Sequence, residues 1–163
     1  MVAIARPVAD DRHTRRELYT EIEIAARPAD VWEVLTAFSR YGEWNPWMHQ
    51  VVGELRVGAR LDVRVRMGER ELGFRPRVTL VDPPRAFRWL GHLLIPGLFD
   101  GEHCFELSSL HNGGTRLVHR ERFSGLLVGP VLRRVGAATE EGFKAMNEAL
   151  RARCEASAAR DES

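Results

Sequence analysis

Net charge is nearly missing from this sequence. It holds 24 Lys and Arg against 23 Asp and Glu, a formal charge of +1 over 163 residues. Nothing electrostatic therefore draws the chain to nucleic acid or to an anionic membrane, and neither partner is expected. Lysine is almost absent beside arginine, which we read as the base-composition bias of a GC-rich genome. Cysteine is scarce. Cys104 and Cys154 form no metal-ligand spacing and no disulfide framework, so a reduced, cytoplasmic setting is expected. No apolar run approaches the roughly 18 residues of a membrane span. The opening "MVAIARPVADDRHTRRE" turns charged before an apolar signal region can form, so no signal peptide is expected. Repeats, low-complexity segments and internal linkers are also lacking, which implies one domain over residues 17–157 between tails at 1–16 and 158–163. A glycine-rich phosphate cradle, a nucleophile elbow and zinc-ligand spacing are missing too, so no cofactor and no metal are expected.

What the chain does have is enough apolar material, 44% of residues in 18.5 kDa, for one substantial core. "ELYTEIEIAA" alternates as a half-buried strand with Leu18, Thr20, Ile22 and Ile24 on one side. "RPADVWEVLTAF" predicts a short helix: Pro28 suits its first turn, Asp30 its positive end, and Val31, Val34, Leu35 and Phe38 fall at helical spacing. From residue 50 to 124 the pattern is almost wholly β. "RLDVRVRM" puts Leu61, Val63, Val65 and Met67 on one face, and "ELGFRPRVTLV" reads as a strand with Leu72, Phe74, Val78 and Leu80 inward. "RAFRWLGHL" alternates through Phe87 and Trp89. "EHCFELSSL" and "TRLVHRERF" flank the "HNGG" hairpin signal. Short turns between consecutive strands demand antiparallel pairing. After Gly125, Gly129 and Pro130, a stripe of Leu132, Val135, Phe143, Met146 and Leu150 marks an amphipathic helix to about residue 157. A helix of that length lays its apolar stripe across the concave face of a curved sheet.

The predicted fold class is α+β: a curved antiparallel sheet of six or seven strands around a long C-terminal helix, with two short helices after the first strand. This order resembles the helix-grip fold of the polyketide cyclase/START-like superfamily (SRPBCC, Bet v 1-like). The resemblance covers residues 17 to 155 and is carried by "ARPADVWEVLTAFSRYGEWNPW", "DPPRAFRWLG", "GLFDGEHCFEL", "GGTRLVHRERFSGLL" and "GFKAMNEALRARCEA". It implies a cavity between sheet and helix for a hydrophobic small molecule, opening near the short helices. Members of that superfamily include ligand carriers, cyclases, hormone receptors and chaperone activators, so fold does not settle function.

Strand alternation names the residues that face such a cavity. His103 shares a face with Phe105 and Leu107, and His119 and Glu121 share one with Leu117 and Phe123. Setting Leu107 opposite Leu117 brings Phe105 to His119 and His103 to Glu121, while Cys104 points to the outer face. A slip of one residue would undo this facing. Ionisable groups on an apolar face need partners. His103 and Glu121 either satisfy each other, contact the polar end of a ligand, or act as acid and base. A two-histidine, one-carboxylate metal site needs a facial geometry that flat strands rarely supply. "FSRYGEWNPW" either plugs the core or forms a rim from Trp44, Asn45 and Trp47, and the rim reading is preferred. Phe74, Trp89, Phe105, Phe143 and Met146 complete the expected ligand wall, and "LIPGLFDG" is either a hydrophobic gate around Leu94, Ile95, Leu98 and Phe99 or a plain connection. The expected function is a carrier or sensor of a hydrophobic molecule. A cofactor-independent polyketide cyclase, aromatase or dehydratase using His103, His119 and Glu121 is the alternative, and a chaperone-activator-like module the second. An edge strand leaves room for a homodimer.

Overall fold

The structure is a computed structural model that describes residues 16–93 and 95–161. The tail expected over residues 1–16 therefore lies, apart from Arg16, outside the described residues, as does Leu94 of the expected gate. The elements run β1 (Arg16–Ile24), α1 (Pro28–Thr36), a 3-10 turn (Phe38–Arg40), α2 (Tyr41–Trp44), β2 (Met48–Val52), β3 (Asp62–Met67), β4 (Arg70–Phe74), β5 (Arg77–Asp82), β6 (Ala86–His92), β7 (Asp100–Ser109), β8 (Thr115–Ser124) and α3 (Val128–Asp161).

The fold class is as expected, with two differences of detail. Among the described residues the strands number eight rather than six or seven, and they form a five-stranded sheet, β1-β8-β7-β6-β5, and a three-stranded one, β2-β3-β4. The split falls inside "ELGFRPRVTLV". Pro76 has no N–H to give a ladder, so the chain breaks at Arg75–Pro76 into β4 and β5. Leu72, expected to face inward, is instead 49% exposed on edge strand β4. A short strip before β3 still stitches the sheets together: Gly58 N donates to Val78 O at 2.9 Å, Val78 N to Ala59 O at 2.9 Å and Leu61 N to Pro76 O at 3.0 Å. The second difference concerns α3. It spans 34 residues and includes Gly129 and Pro130 in its first turn, where a missing N–H costs nothing. It also continues to Asp161, so residues 158–161, expected as a tail, are helical.

Alternation otherwise holds. Thr20 and Ile24 of β1, Val63 and Val65 of β3, Phe87 and Trp89 of β6, and Phe105 and Leu107 of β7 are all buried in one core, against Phe143, Met146 and Leu150 of α3. The outer face of the five-stranded sheet carries ion pairs instead. Arg120 bridges Glu106 at 2.6 Å and Glu17 at 3.4 Å, and Arg88 also reaches Glu106, at 2.9 Å. Cys104 lies on this face as expected, but buried beneath the arginines, and burial pushes its thiol up to about 11. It is a packed thiol rather than a thiolate nucleophile. Among the described residues no helix is long and apolar enough to cross a membrane.

Candidate functional site

The β7–β8 register is the one that alternation requires: Leu107 opposite Leu117, Phe105 opposite His119 and His103 opposite Glu121. All of these side chains lie toward α3. The three ionisable groups thus meet, but not in the pairing expected. His103 Nε2 lies 2.7 Å from His119 Nε2, and His119 Nδ1 lies 2.8 Å from Asn147 Oδ1. Asn147 Nδ2 donates to Thr20 Oγ1 at 2.9 Å, and Thr20 Oγ1 donates to the carbonyl of His119 at 2.9 Å. Glu121 stands at the other end, its Oε2 3.6 Å from His103 Nδ1, which is proximity rather than a hydrogen bond. A polar chain therefore runs from Glu121, 17% exposed at its side chain, through His103 and His119 to Asn147 and Thr20 deep in the core.

Burial sets the protonation of this chain. It lowers His103 to about 3 and His119 well below the usual histidine value, the latter helped by its neighbour His103. Both rings are neutral at physiological pH. The same loss of water raises the Glu121 carboxyl to about 8, so it is an acid rather than a carboxylate at neutral pH. With the two Nε2 atoms spent on each other, the histidines and Glu121 do not converge on a common point. No group of three or more His, Cys, Asp or Glu among the described residues is placed to hold a metal ion.

Aromatic rings wall in the chain. His119 stacks on Phe143 at 4.0 Å and 11° and on Phe105 at 4.5 Å. His103 stacks on Trp89 at 5.2 Å and lies nearly parallel to Trp47 at 6.3 Å. Trp47 comes this close because α3 carries glycine where it passes: a Cβ at Gly142 would collide with the indole ring. Glu121 is seated the same way, since a Cβ at Gly101 would collide with its carboxyl group. Gly101 faces Gly91 across β6 and β7, and Phe74 borders Gly91, 3.8 Å from where a Cβ would be. On the inner face the room that the two glycines leave is taken by neighbouring side chains, Glu121 and Phe123 at Gly101 and Pro76 and Phe74 at Gly91. The indole N–H groups of Trp47 and Trp89 are buried without an acceptor, a rare condition for donors of this kind.

Of the residues expected to bind a ligand, Trp47, Trp89, His103, Phe105, His119, Glu121 and Phe143 come together here. Met146 is fully buried on the same helix stripe, and Phe74 borders the glycine pair. Trp44 and Asn45 do not join them. Asn45 is 3% exposed, and its Oδ1 accepts from Trp47 N at 3.1 Å and Met48 N at 2.9 Å. It closes the turn from α2 into β2 instead of offering that acceptor at a rim. Trp44 packs edge-on against Tyr41 and lines a separate groove of about 300 Å³ with Glu33, Val34, Ala37, Arg40, Arg153 and Ser157. Of the loop after β6, Ile95 is 59% exposed and Leu98 and Phe99 are half-buried. Leu98 N donates to Ile95 O, while Leu126 N and Leu127 N donate back to Gly97 O and Leu98 O.

Sequence reasoning missed Asn147 and the polar role of Thr20. Both left a signal. Asn147 interrupts the apolar stripe of α3 four residues after Phe143, and Thr20 sits at an inward position of β1 among aliphatic neighbours.

Comparison with solved structures places the fold among known ones. The Zhui aromatase/cyclase of a Streptomyces species superposes with a TM-score of 0.71 at 22% identity, over 86% of this chain and 94% of that one. A START superfamily protein of Mycobacterium smegmatis gives 0.67 at 20% identity, over 85% and 97%. Norcoclaurine synthase of Thalictrum flavum, a point mutant bound to a transition-state analogue, gives 0.67 at 15% identity, over 89% and 97%. At these identities the likeness is one of fold. No curated protein matches the sequence. The polyketide cyclase/dehydrase and lipid transport family model, however, matches residues 15–158, nearly the whole chain, and the chain belongs to that family.

Proposed function

We propose that this protein binds a hydrophobic small molecule between the five-stranded sheet and α3, as a carrier or sensor, with the polar end of the ligand against Glu121 and His103. One observation carries the reading: a neutral polar chain ends at Glu121, seated against Gly101, among rings of which Trp47 and Trp89 have buried indole N–H groups without acceptors. Rings supply apolar area, and convergent donors fix orientation. The ligand wall comprises Trp47, Phe74, Trp89, Phe105, Phe143 and Met146. Trp44 and Asn45 fall outside it.

The test is native mass spectrometry of protein purified from its source cells, followed by solvent extraction. An additional mass that is lost on denaturation, and is missing from Glu121→Gln or His103→Ala protein, is the expected result. Absence of any such mass, with a thermal midpoint indifferent to a library of apolar compounds, would overturn the reading.

A second reading has its own support. A carboxylic acid beside a neutral imidazole nitrogen is an acid–base pair, and on a polyketone His103 would take an acidic carbon-bound proton while Glu121 protonates the departing oxygen. Cyclised or dehydrated product from a short poly-β-ketone, lost in Glu121→Gln, would favour turnover over carriage.

A further inference from the structure

We propose that Thr20 and Asn147 are positioning residues that lock the tautomers of both histidines, so that His103 offers a bare Nδ1 beside the Glu121 carboxyl and the pair matches a neutral hydroxyl group. The argument is one of counting protons. The Thr20 hydroxyl has a single hydrogen and gives it to the His119 carbonyl, so its oxygen must accept from Asn147 Nδ2. That orients the amide and turns Oδ1, which can only accept, toward His119 Nδ1 at 2.8 Å. His119 Nδ1 therefore carries the hydrogen, and in a neutral ring its Nε2 is bare. Facing it at 2.7 Å, His103 Nε2 must be the donor. His103 Nδ1 is then bare, and it is the atom that looks at Glu121 Oε2 across 3.6 Å. No link can be reversed without leaving two hydrogens or two lone pairs face to face in a dry interior, where an unsatisfied polar group is costly.

The consequence lies at the outer end. A protonated carboxyl is a donor and a bare imidazole nitrogen an acceptor, and 3.6 Å is too wide for them to bond directly. An oxygen set to one side at about 2.8 Å from each bonds to both. A hydroxyl group, as in a phenol, enol or alcohol, satisfies the two together, accepting from Glu121 and donating to His103. An ether accepts but cannot donate. A carboxylate finds no buried cation on this face among the described residues, because Arg88 and Arg120 lie on the outer one. This assignment of ligand class rests on the proposed ligand-binding role. The tautomer lock does not.

Two measurements on the whole protein separate them. Long-range 15N–1H correlation of the histidine rings reads tautomers directly, since a bare ring nitrogen resonates far downfield of an N–H nitrogen. His103 is expected as the Nε2–H form and His119 as the Nδ1–H form, unchanged in Thr20→Ser and mixed in Thr20→Val. His103 as the Nδ1–H form in the wild type, or Thr20→Val protein with both rings as in the wild type, would overturn the lock. Titration of tryptophan fluorescence with 1-naphthol and 1-methoxynaphthalene then tests the ligand class. The naphthol should bind about tenfold more tightly than the ether, the difference that one buried hydrogen bond makes, and Thr20→Val should erase the preference. Equal binding of the two probes would overturn the hydroxyl assignment with the lock intact. Failure of both to bind would overturn the ligand-binding reading, and with it the hydroxyl assignment.

Discussion

Glu121 is where the polar chain meets water, and its protonation ties the site to stability. Burial raises its carboxyl from an ordinary 4.5 to about 8. Between those values the folded chain keeps a proton that the unfolded chain has released, so stability falls as pH rises through the window. The histidines act with the opposite sign. Held neutral in the fold, with His103 lowered to about 3, they leave the unfolded state binding more protons up to about pH 6.5, and stability grows with pH over that range. Above pH 6.5 the Glu121 slope acts without that opposition. Thermal or urea unfolding should therefore lose about 2 kcal/mol between pH 6.5 and 8, and Glu121→Gln should flatten that limb. A wild-type profile already flat there would mean that Glu121 is ionised in the fold. Asn147 makes a second case. Asn147→Leu is nearly isosteric but leaves the His119 Nδ1–H and the Thr20 oxygen without a partner, and a loss of about 2 kcal/mol or more in the unfolding free energy is expected. At this scale the sequence was legible where period 2 operates, since alternation placed His103, His119 and Glu121 on one face in the right register. It was blind to which polar atoms would pair, because the 2.7 Å histidine contact depends on rotamers and on a helix residue far along the chain.

Helix α3 and the two strands beneath it show how elements are fitted by what is left out. A glycine inside a helix costs about 1 kcal/mol relative to alanine, so two such positions in one helix offer a controlled contrast. At Gly136 an added Cβ would meet only Leu132, at 3.8 Å, an ordinary contact. Gly136→Ala should stabilise the protein by up to about 1 kcal/mol. At Gly142 the same methyl would drive into the Trp47 ring. Gly142→Ala should then destabilise by about 1–3 kcal/mol, as overpacking does, and shift tryptophan emission to longer wavelength as the indole leaves its slot. Stabilisation by both substitutions, measured by thermal melts, would show that Trp47 does not lie against the helix. The existence of α3 was plain from its apolar stripe. Its reach to Asp161 was not, because the last turns, "EASAARD", are alanine-rich and lack an apolar stripe, leaving only propensity to carry them. The break at Pro76 is hidden in the pattern, since Phe74 and Val78 keep step on either side of it.

For the molecule as a whole, rings pack around His103 in the structure, so a ligand reaches the Glu121 pair only by displacing something. The cheapest displacement is set by how much each part buries. In β4, Arg70, Glu71, Leu72 and Gly73 are all exposed, and its sheet joins the larger one through the strip at residues 58–61 and the core face of β3. The loop after β6 exposes Leu93 and Ile95 at 49% and 59% and is strapped to Leu126 and Leu127 by two backbone hydrogen bonds. By contrast, β1, β7 and β8 share nine- and ten-residue ladders, covered by α3 on one face and by the arginine–glutamate network on the other. Regions with few buried apolar contacts open at a fraction of the global free energy. Native-state hydrogen exchange should accordingly show β4 and residues 95–99 exchanging through local openings insensitive to low denaturant. Amides at Thr20, Phe105, Leu117 and His119 should exchange only with global unfolding. Entry to the site would then run past the small sheet and the loop, with the histidine ladder standing fixed as they move. Exchange at Phe105 and His119 as fast as in β4 would reverse that order, making the large sheet the moving part and the polar chain a feature that forms only when the sheet closes.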